Sequence, residues 1–168
     1  MTKIYAGIGS RKAPEYILKQ MYQIGTQRAA SGWHLHTGAC HGPDQAFANG
    51  ALSIGGKATL YLPWENYEKE WVVSALKKGA GIEVLHSSDE DAFEAARTYH
   101  PLGLGLSGTG LLFHARNHNI LQDVVQVICW TPDGGMIGGT SQALREATDK
   151  KIDIRNLYFK KEGVETAP

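Results

Sequence analysis

Short apolar segments alternate along this chain with longer segments whose apolar residues recur every three or four positions. The first apolar run, residues 3–8, predicts a strand, and the spacing over 14–31 predicts a helix that ends at Gly32. Similar short runs predict strands over 33–37, 57–62, 81–85, 124–130 and 152–157. Helical spacing predicts helices over 43–52, 68–78, 89–99 and 140–148, and the start of another over 115–121. The glycine-rich stretch 102–112 is predicted to be irregular.

This alternation determines the predicted fold class. Strands that are apolar on both faces are typical of a parallel sheet covered by helices on both sides. We therefore predict an α/β protein: a single Rossmann-like domain over residues 1–158, with a mainly parallel sheet and helices on both faces. Residues 159–168 are predicted to form a flexible tail.

Composition narrows the classes of protein that the sequence can encode. Of the 168 residues, 42% are hydrophobic, which supports one sizeable core and excludes an intrinsically disordered chain. Seventeen Lys and Arg balance 17 Asp and Glu, which disfavours binding to duplex DNA through bulk positive charge. The sequence shows neither a membrane span nor a signal peptide, which predicts a cytoplasmic protein without a membrane partner. Two cysteines cannot supply a disulfide scaffold or a four-ligand zinc site, and no metal or cofactor is predicted.

Three glycine-rich loops, each between a predicted strand and a predicted helix, carry the candidate chemistry. Parallel strands end at one edge of their sheet, where such loops converge on ligands. Backbone N–H groups, hydroxyls and a fork-shaped guanidinium all suit a phosphate. The predicted ligand-binding residues of the three loops are Gly9, Ser10, Arg11, Thr37, Gly38, Ala39, Asp44, Gly138, Gly139 and Thr140. One such loop alone is more often only a tight turn, so it is the repetition that favours a binding site.

A further polar segment precedes the most apolar predicted strand. Arg116 would supply a second phosphate clamp and Asn117 a base or ribose contact, although both side chains equally fit a solvated helix start. The first loop lacks the third glycine of a dinucleotide fingerprint and the lysine of a P-loop, which disfavours an NAD enzyme and an NTPase. Trp64, Tyr67 and Trp71 suit either stacking on a base or packing in the core.

Four segments, taken in order, resemble the DNA-processing protein A (DprA/Smf) family. The Gly-Ser-Arg of residues 9–11 is similar to the family's opening motif, and residues 37–46 are similar to its second glycine-rich loop. Residues 115–120 resemble its Arg-Asn-Arg-Ile-Ile segment, and residues 139–143 its final turn and helix. The resemblance spans nearly the whole chain, from residue 5 to about 157. It implies a nucleotide- or DNA-binding role in DNA processing, and it suggests a short, phage-encoded form.

Two positions depart from the patterns of the wider superfamily, which also contains the LOG nucleotide phosphoribohydrolases. His118 stands where the DprA segment has its second arginine, so a permanent positive charge is missing there. Ala143 stands where LOG enzymes have their catalytic glutamate. The LOG hydrolase mechanism is therefore not carried over to this chain.

Three functions remain open. The leading prediction is a nucleotide-phosphate-binding protein, for single-stranded DNA or a free nucleotide-derived ligand, that uses the glycine-rich loops and arginine clamps. The first alternative is a hydrolase of a nucleotide N-glycosidic bond. That chemistry needs a carboxylate, and Asp44 and Glu146 are the candidate catalytic residues. The second alternative is a protein that senses or sequesters a signalling nucleotide. Whether the chain forms a homo-oligomer also stays open.

Overall fold

A computed structural model describes residues 1–136 and 138–158. The strands are β1 (Ile4–Gly7), β2 (His34–Thr37), β3 (Lys57–Leu62), β4 (Gly81–Val84), β5 (Gln126–Cys129) and β6 (Asp153–Asn156). The α-helices are α1 (Glu15–Ala30), α2 (Pro43–Leu52), α3 (Lys69–Lys77), α4 (Glu90–Tyr99), α5 (Gly108–Ile120) and α6 (Ser141–Asp149). Two short 3-10 helices cover Gly103–Gly105 and Pro132–Gly134. The predicted tail, 159–168, lies outside the described residues.

All the strands belong to one parallel sheet with the order β4-β3-β2-β1-β5-β6. The chain builds outward from β1 to β4, then returns to the other side of β1 to add β5 and β6. The strand order therefore reverses between β1 and β5, and the loops that follow these two strands leave toward opposite faces of the sheet. Such a reversal opens a crevice at the carboxyl edge of the sheet.

Helices cover both faces of the sheet, as predicted for a single Rossmann-like α/β domain. Leu35 and Leu60 face one side, where they join a core formed with α1, α2 and α3. Ala6 and Val127 face the other side and pack against α5 and α6. A smaller apolar cluster joins α4 to α5. Burial of apolar residues on both faces explains why the central strands β1 and β5 have no continuous polar face, the feature on which the fold prediction rests. By contrast, β2 carries His34 and His36 on one face, and the edge strand β6 is half exposed.

Two features of α1 follow directly from its sequence. Ile17, Met21 and Ile24 are buried at spacings of three and four residues, which fixes the face that α1 turns to the core. The helix stops at Gly32, whose φ of 77° lies in the left-handed region that glycine adopts without strain.

One segment differs from its prediction. The stretch 102–112 was expected to be irregular, but Gly103–Gly105 forms a 3-10 helix and α5 already begins at Gly108. Gly108 and Gly110 are poor helix formers, which hides this start from a reading of local preference. Packing overrides that preference, because Leu106 and Ala115 bury against α4. No helix in the described part of the chain is long and apolar enough to cross a membrane.

Candidate functional site

A cavity of about 380 Å³ opens at the carboxyl edge of the sheet, beside the reversal between β1 and β5. Residues of all three glycine-rich loops and one face of α5 line it together. The lining residues are Ile8, Gly9, Ser10, Arg11, Lys12, Cys40, Asp44, Gly110, Phe113, His114, Arg116, Asn117, Gly138, Gly139 and Thr140. The volume falls within the usual range for sites that hold a small molecule.

The loop after β1 forms the cationic rim of the cavity. The backbone N–H of Ser10 donates to the carbonyl oxygen of Trp130 at 3.0 Å, which ties this loop to the end of β5. The Ser10 hydroxyl accepts the backbone N–H of Lys12 at 3.2 Å. Arg11 and Lys12 are both exposed, so their charged groups are free to meet an anion from solvent. A Cβ on Gly9 would press on Pro43 and on the Trp130 carbonyl, so only glycine fits there without displacement.

The loop after β2 brings two buried charges of opposite sign close together. Asp44 and Arg116 are each only 5% exposed, and a Cβ added to Gly38 would collide with both side chains. Burial raises the pKa of Asp44 to about 6, although the charge of Arg116, the Cys40 N–H and the charge of Arg11 oppose the rise. Asp44 therefore changes protonation state close to neutral pH while it faces the cavity.

Arg116 is anchored at one end and unsatisfied at another. Its Nη1 donates to the Tyr61 carbonyl oxygen at 3.0 Å, and its guanidinium carbon lies 5.7 Å from the centre of the Phe113 ring. Its Nε–H is buried without a hydrogen-bond partner among the described residues. A buried N–H without an acceptor costs free energy, and the hydrogen bond to Tyr61 and the ring of Phe113 offset part of the cost of burying this guanidinium.

The third loop leads into α6. Gly138, Gly139 and Thr140 precede the first residue of this helix, and they line the cavity opposite the α5 face. The Gly138 carbonyl oxygen accepts both the backbone N–H of Ser141, at 3.1 Å, and its hydroxyl, at 2.6 Å. These bonds hold the turn so that the start of α6, where backbone N–H groups are free, borders the cavity.

The predicted site residues separate into two groups. Gly9, Ser10, Arg11, Asp44, Arg116, Asn117, Gly138, Gly139 and Thr140 all line the cavity. Thr37, Gly38 and Ala39 lie behind its wall. Thr37 and Ala39 are fully buried, and the Thr37 hydroxyl donates to the Gly7 carbonyl oxygen at 2.5 Å, so it joins the ends of β2 and β1.

The second carboxylate candidate, Glu146, lies outside the cavity. It is 0% exposed, and its Oε1 pairs with His118 Nδ1 at 2.5 Å and with Lys150 Nζ at 2.7 Å. His118 therefore points to α6 rather than to the cavity.

Six lining residues were not predicted: Ile8, Lys12, Cys40, Gly110, Phe113 and His114. The last three were missed for one reason, the late start assigned to α5. Gly110, His114 and Asn117 are spaced by four and three residues, so a helix that begins at Gly108 places them on one face. That spacing is the signal that could have found them.

Phe113 also joins the cavity to a cluster of aromatic rings after β3. Its ring centre lies 5.1 Å from that of Trp64 and 5.5 Å from that of Tyr67, and all three rings meet edge to face. Trp71 lies elsewhere and donates to Asn49 at 3.2 Å. Two of the three aromatic candidates are thus close to the site.

Two further cavities in the described part of the chain lie away from these loops. A wider, shallower cleft of about 640 Å³ lies between α4 and the 3-10 helix Gly103–Gly105. A third, of about 460 Å³, lies beside His36, Tyr61 and several carboxylates. We assign the site to the smaller cavity because charged groups and free N–H groups converge there. Within 1–136 and 138–158, no group of three or more His, Cys, Asp or Glu is placed to hold a metal ion.

No protein-family model matches the sequence, and no curated protein matches it either. The solved structures that are similar to the chain include the following two. The X-ray structure of DNA processing protein A (DprA) from Streptococcus pneumoniae has a TM-score of 0.67 and 20% identity, over 96% of this chain and 52% of that one. The molybdenum cofactor carrier protein from Chlamydomonas reinhardtii has a TM-score of 0.48 and 20% identity, over 94% of this chain and 90% of that one.

The architecture and the first of these comparisons define a class of fold. The chain is a single α/β domain with a Rossmann-like arrangement of sheet and helices. More narrowly, its fold is DprA-like, and it spans about half the length of the pneumococcal DprA structure.

Proposed function

We propose that this protein binds a nucleotide-derived ligand in the cavity between β1 and β5. A DprA-like fold is consistent with DNA- or nucleotide-related binding. The observation that carries the proposal is the convergence of all three glycine-rich loops, with Arg11, Lys12 and Arg116, on one cavity at the carboxyl edge of the sheet. These positively charged donors favour an anion.

The rim of the cavity suits the phosphate. Arg11 offers a fork of N–H donors, Lys12 a mobile ammonium group, and the start of α6 its free backbone N–H groups. Hydrogen bonds to a charged group contribute about 1.5–3 kcal/mol each. These donors support the binding of a phosphate at the rim.

The inner part of the cavity suits a sugar and a base. Arg116 and Asn117 present polar groups there, and Phe113 presents an aromatic ring. A cavity of about 380 Å³ fits a mononucleotide better than a folded polynucleotide. The balanced net charge of the chain favours the same choice. We therefore favour a free nucleotide over single-stranded DNA.

Hydrolysis of the N-glycosidic bond is the second candidate, and Asp44 is the observation that favours it. Its carboxyl group lines the cavity, and its pKa of about 6 allows it to take or release a proton near neutral pH. A carboxylate of this kind could activate water or stabilise positive charge at the anomeric carbon. A protein that only senses or sequesters a nucleotide would bind the same ligand without turnover.

Thermal-shift measurements combined with chromatography separate these functions. The protein is mixed with adenosine and guanosine monophosphates, ADP-ribose, a cyclic dinucleotide, oligo-dT or inorganic phosphate, and each mixture is then analysed for free base. Stabilisation by a nucleotide without release of base supports a binding protein. Release of base that falls at least ~100-fold in Asp44→Asn, while binding survives, supports the hydrolase. Failure of every nucleotide and of oligo-dT to stabilise the protein contradicts the proposal.

A further inference from the structure

A buried chain of hydrogen bonds leads from α6 to the wall of the cavity. It begins at Glu146, whose carboxylate is held by His118 and Lys150. Burial alone would raise the pKa of Glu146, but the hydrogen bonds from these two partners lower it below its ordinary value. Glu146 is therefore ionised at neutral pH, and both of its oxygens can only accept hydrogen bonds.

Gln142 continues the chain with its orientation set by Glu146. Its side chain is almost fully buried, and its Nε2 lies 3.5 Å from Glu146 Oε2. Because an ionised carboxylate cannot donate, the amide nitrogen of Gln142 has to face it. The Oε1 of Gln142 then points the other way, toward α5.

Two cavity residues meet this oxygen. The Asn117 Nδ2 lies 3.2 Å and the His114 Nδ1 3.3 Å from Gln142 Oε1. Since this oxygen can only accept, both nitrogens have to carry the proton they donate. Burial, together with the charges of His100 and Arg116, lowers the pKa of His114, so its ring is neutral and its Nε2 is left without a proton.

The outward atoms of the two residues are the Asn117 Oδ1 and the His114 Nε2. Both residues line the cavity. In the described part of the chain neither atom has a hydrogen-bond partner, and neither is among the buried atoms sealed away from solvent. Two hydrogen-bond acceptors thus belong to lining residues three positions apart on α5, whereas the rim offers donors.

We propose that Gln142 is a positioning residue that gives this wall its accepting character, so that the site selects ligands with hydrogen-bond donors next to a phosphate. Such donors are the hydroxyls of a ribose or an exocyclic amino group of a base. The inference rests on the proposed function for the ligand, but the orientation of His114 and Asn117 is a property of the free protein. A donor that meets both acceptors gains hydrogen bonds, and a ligand without one leaves them unpaired.

The first experiment is nitrogen-15 NMR of the imidazole rings in the free protein near pH 7.5, with the His114 signals assigned from the spectrum of His114→Gln. We expect the proton of His114 on Nδ1 and none on Nε2. In Gln142→Met this preference should be lost, while the exposed control Gln23→Met keeps it. A wild-type His114 protonated on Nε2 overturns the proposal, and this result needs neither a ligand nor a folded Gln142→Met.

The second experiment compares the affinities of three probes by calorimetry. They are adenosine 5′-monophosphate, its 2′,3′-dideoxy analogue and purine riboside 5′-monophosphate, which lacks the amino group. We expect at least one analogue to bind about tenfold or more weakly than adenosine 5′-monophosphate, because a missing donor leaves an acceptor of the protein unpaired. The analogue that binds weakly identifies the donor that the site recognises.

In Gln142→Met, the difference in affinity between the three probes should disappear. Equal binding of all three probes contradicts the selection of donors even if the proposed function holds. If none of the three probes binds, and every other nucleotide and oligo-dT also fail to stabilise the protein, the proposed function is contradicted and the NMR result stands alone.

Discussion

The buried side chains of Asp44 and Arg116 both pack against Gly38. Any larger residue would collide with both Asp44 and Arg116, so the loop after β2 requires glycine for space and not for an unusual φ. Burying a charge is costly unless an opposite charge or hydrogen bonds compensate for it. Here compensation is partial, since burial still raises the pKa of Asp44 to about 6 and one N–H of Arg116 lacks a partner.

Replacement of Arg11 tests the rim of the cavity. Arg11→Ala should weaken the binding of adenosine 5′-monophosphate by roughly 1.5–3 kcal/mol, because it removes charged hydrogen bonds to the phosphate. The melting temperature without ligand should hardly change, since Arg11 is exposed. Calorimetric titration measures the loss, and Lys19→Ala, which removes an exposed charge from α1, is the matched control. If both variants bind adenosine 5′-monophosphate with equal affinity, the first loop does not contact the ligand.

Asp44 should make stability depend on pH in a direction opposite to that of most carboxylates. Its pKa is raised on folding from 3.8 to about 6, so the folded protein holds the extra proton between these values. Its contribution to stability is present below pH 4 and is lost as the pH rises through 6. Asn cannot ionise, so Asp44→Asn does not lose this stability as the pH rises. Between pH 4 and pH 7, the free energy of unfolding of the variant should therefore rise relative to that of the wild type by on the order of 2–3 kcal/mol.

Urea unfolding of both proteins across this range measures the difference. Taking the difference also removes the pH dependence of every group that the two proteins share. If the two stability curves run parallel from pH 4 to pH 7, Asp44 titrates in the folded protein as it does in an unfolded chain.

The sequence predicts those site residues whose side chain suits phosphate binding or catalysis and whose position in the chain suggests a loop or a helix end. Arg11 and Asp44 lie in or next to glycine-rich loops that follow strands, Arg116 lies in the polar segment before β5, and all three line the cavity. It could not separate them from Thr37 or Glu146, which are also polar but face into the protein. The direction of a side chain depends on packing between elements that are distant in sequence, and no local pattern contains it.

At the scale of elements, α5 carries a complete wall of the site. It spans Gly108–Ile120, and its cavity face runs from Gly110 to Asn117. Local preference located only the second half of this helix, since glycine favours helix poorly and Gly108 has a φ of 60°. The remaining helices were predicted to within about a residue at each end, because their apolar spacing and terminal signals agree.

Close packing of α1 against α2 depends on small residues at the contact. A Cβ on Gly50 would overlap the Tyr22 carbonyl group, and one on Gly25 would overlap that of Phe47. Backbone atoms cannot move aside as side chains can, so the two helices would have to separate. Gly50→Ala should therefore destabilise the fold by roughly 1–3 kcal/mol, despite the better helix preference of alanine.

Chemical unfolding of Gly50→Ala measures this cost. Gly105→Ala is the control, since Gly105 has no heavy atom within 4 Å of an added Cβ and no positive φ. We expect the control to stay within about 0.5 kcal/mol of wild type, as surface substitutions usually do. A Gly50→Ala protein as stable as the control would show that the contact between α1 and α2 adjusts freely.

The whole molecule explains why the site lies where it does. Alternating strands and helices predicted a parallel sheet, and the structure confirms it. The order of the strands is a separate matter, because the same alternation is compatible with several orders. Reversal beside β1 brings the loops after β1, β2 and β5 to one crevice, although residues 9 and 138 are far apart in sequence. The site is thus a consequence of topology as much as of its loops.

Salt dependence of binding is a property of the whole charge distribution, and it separates the two ligand classes. A chain that balances 17 positive against 17 negative side chains offers a ligand only a local cluster of positive charge around Arg11 and Lys12. A mononucleotide bound there should therefore show a weak dependence, with log K falling against log salt by a slope of roughly 1–2. For single-stranded DNA, a protein that contacts Z phosphates gives a slope of about 0.7Z, or 3 and more for an extended contact.

Titrations of adenosine 5′-monophosphate and oligo-dT at several potassium chloride concentrations measure both slopes. We expect the nucleotide to bind with the low slope and oligo-dT to bind no more steeply, because a single cavity admits about one nucleotide of the strand. A steep slope for oligo-dT, together with tighter binding than that of the nucleotide, would identify single-stranded DNA as the ligand and contradict our choice of a free nucleotide.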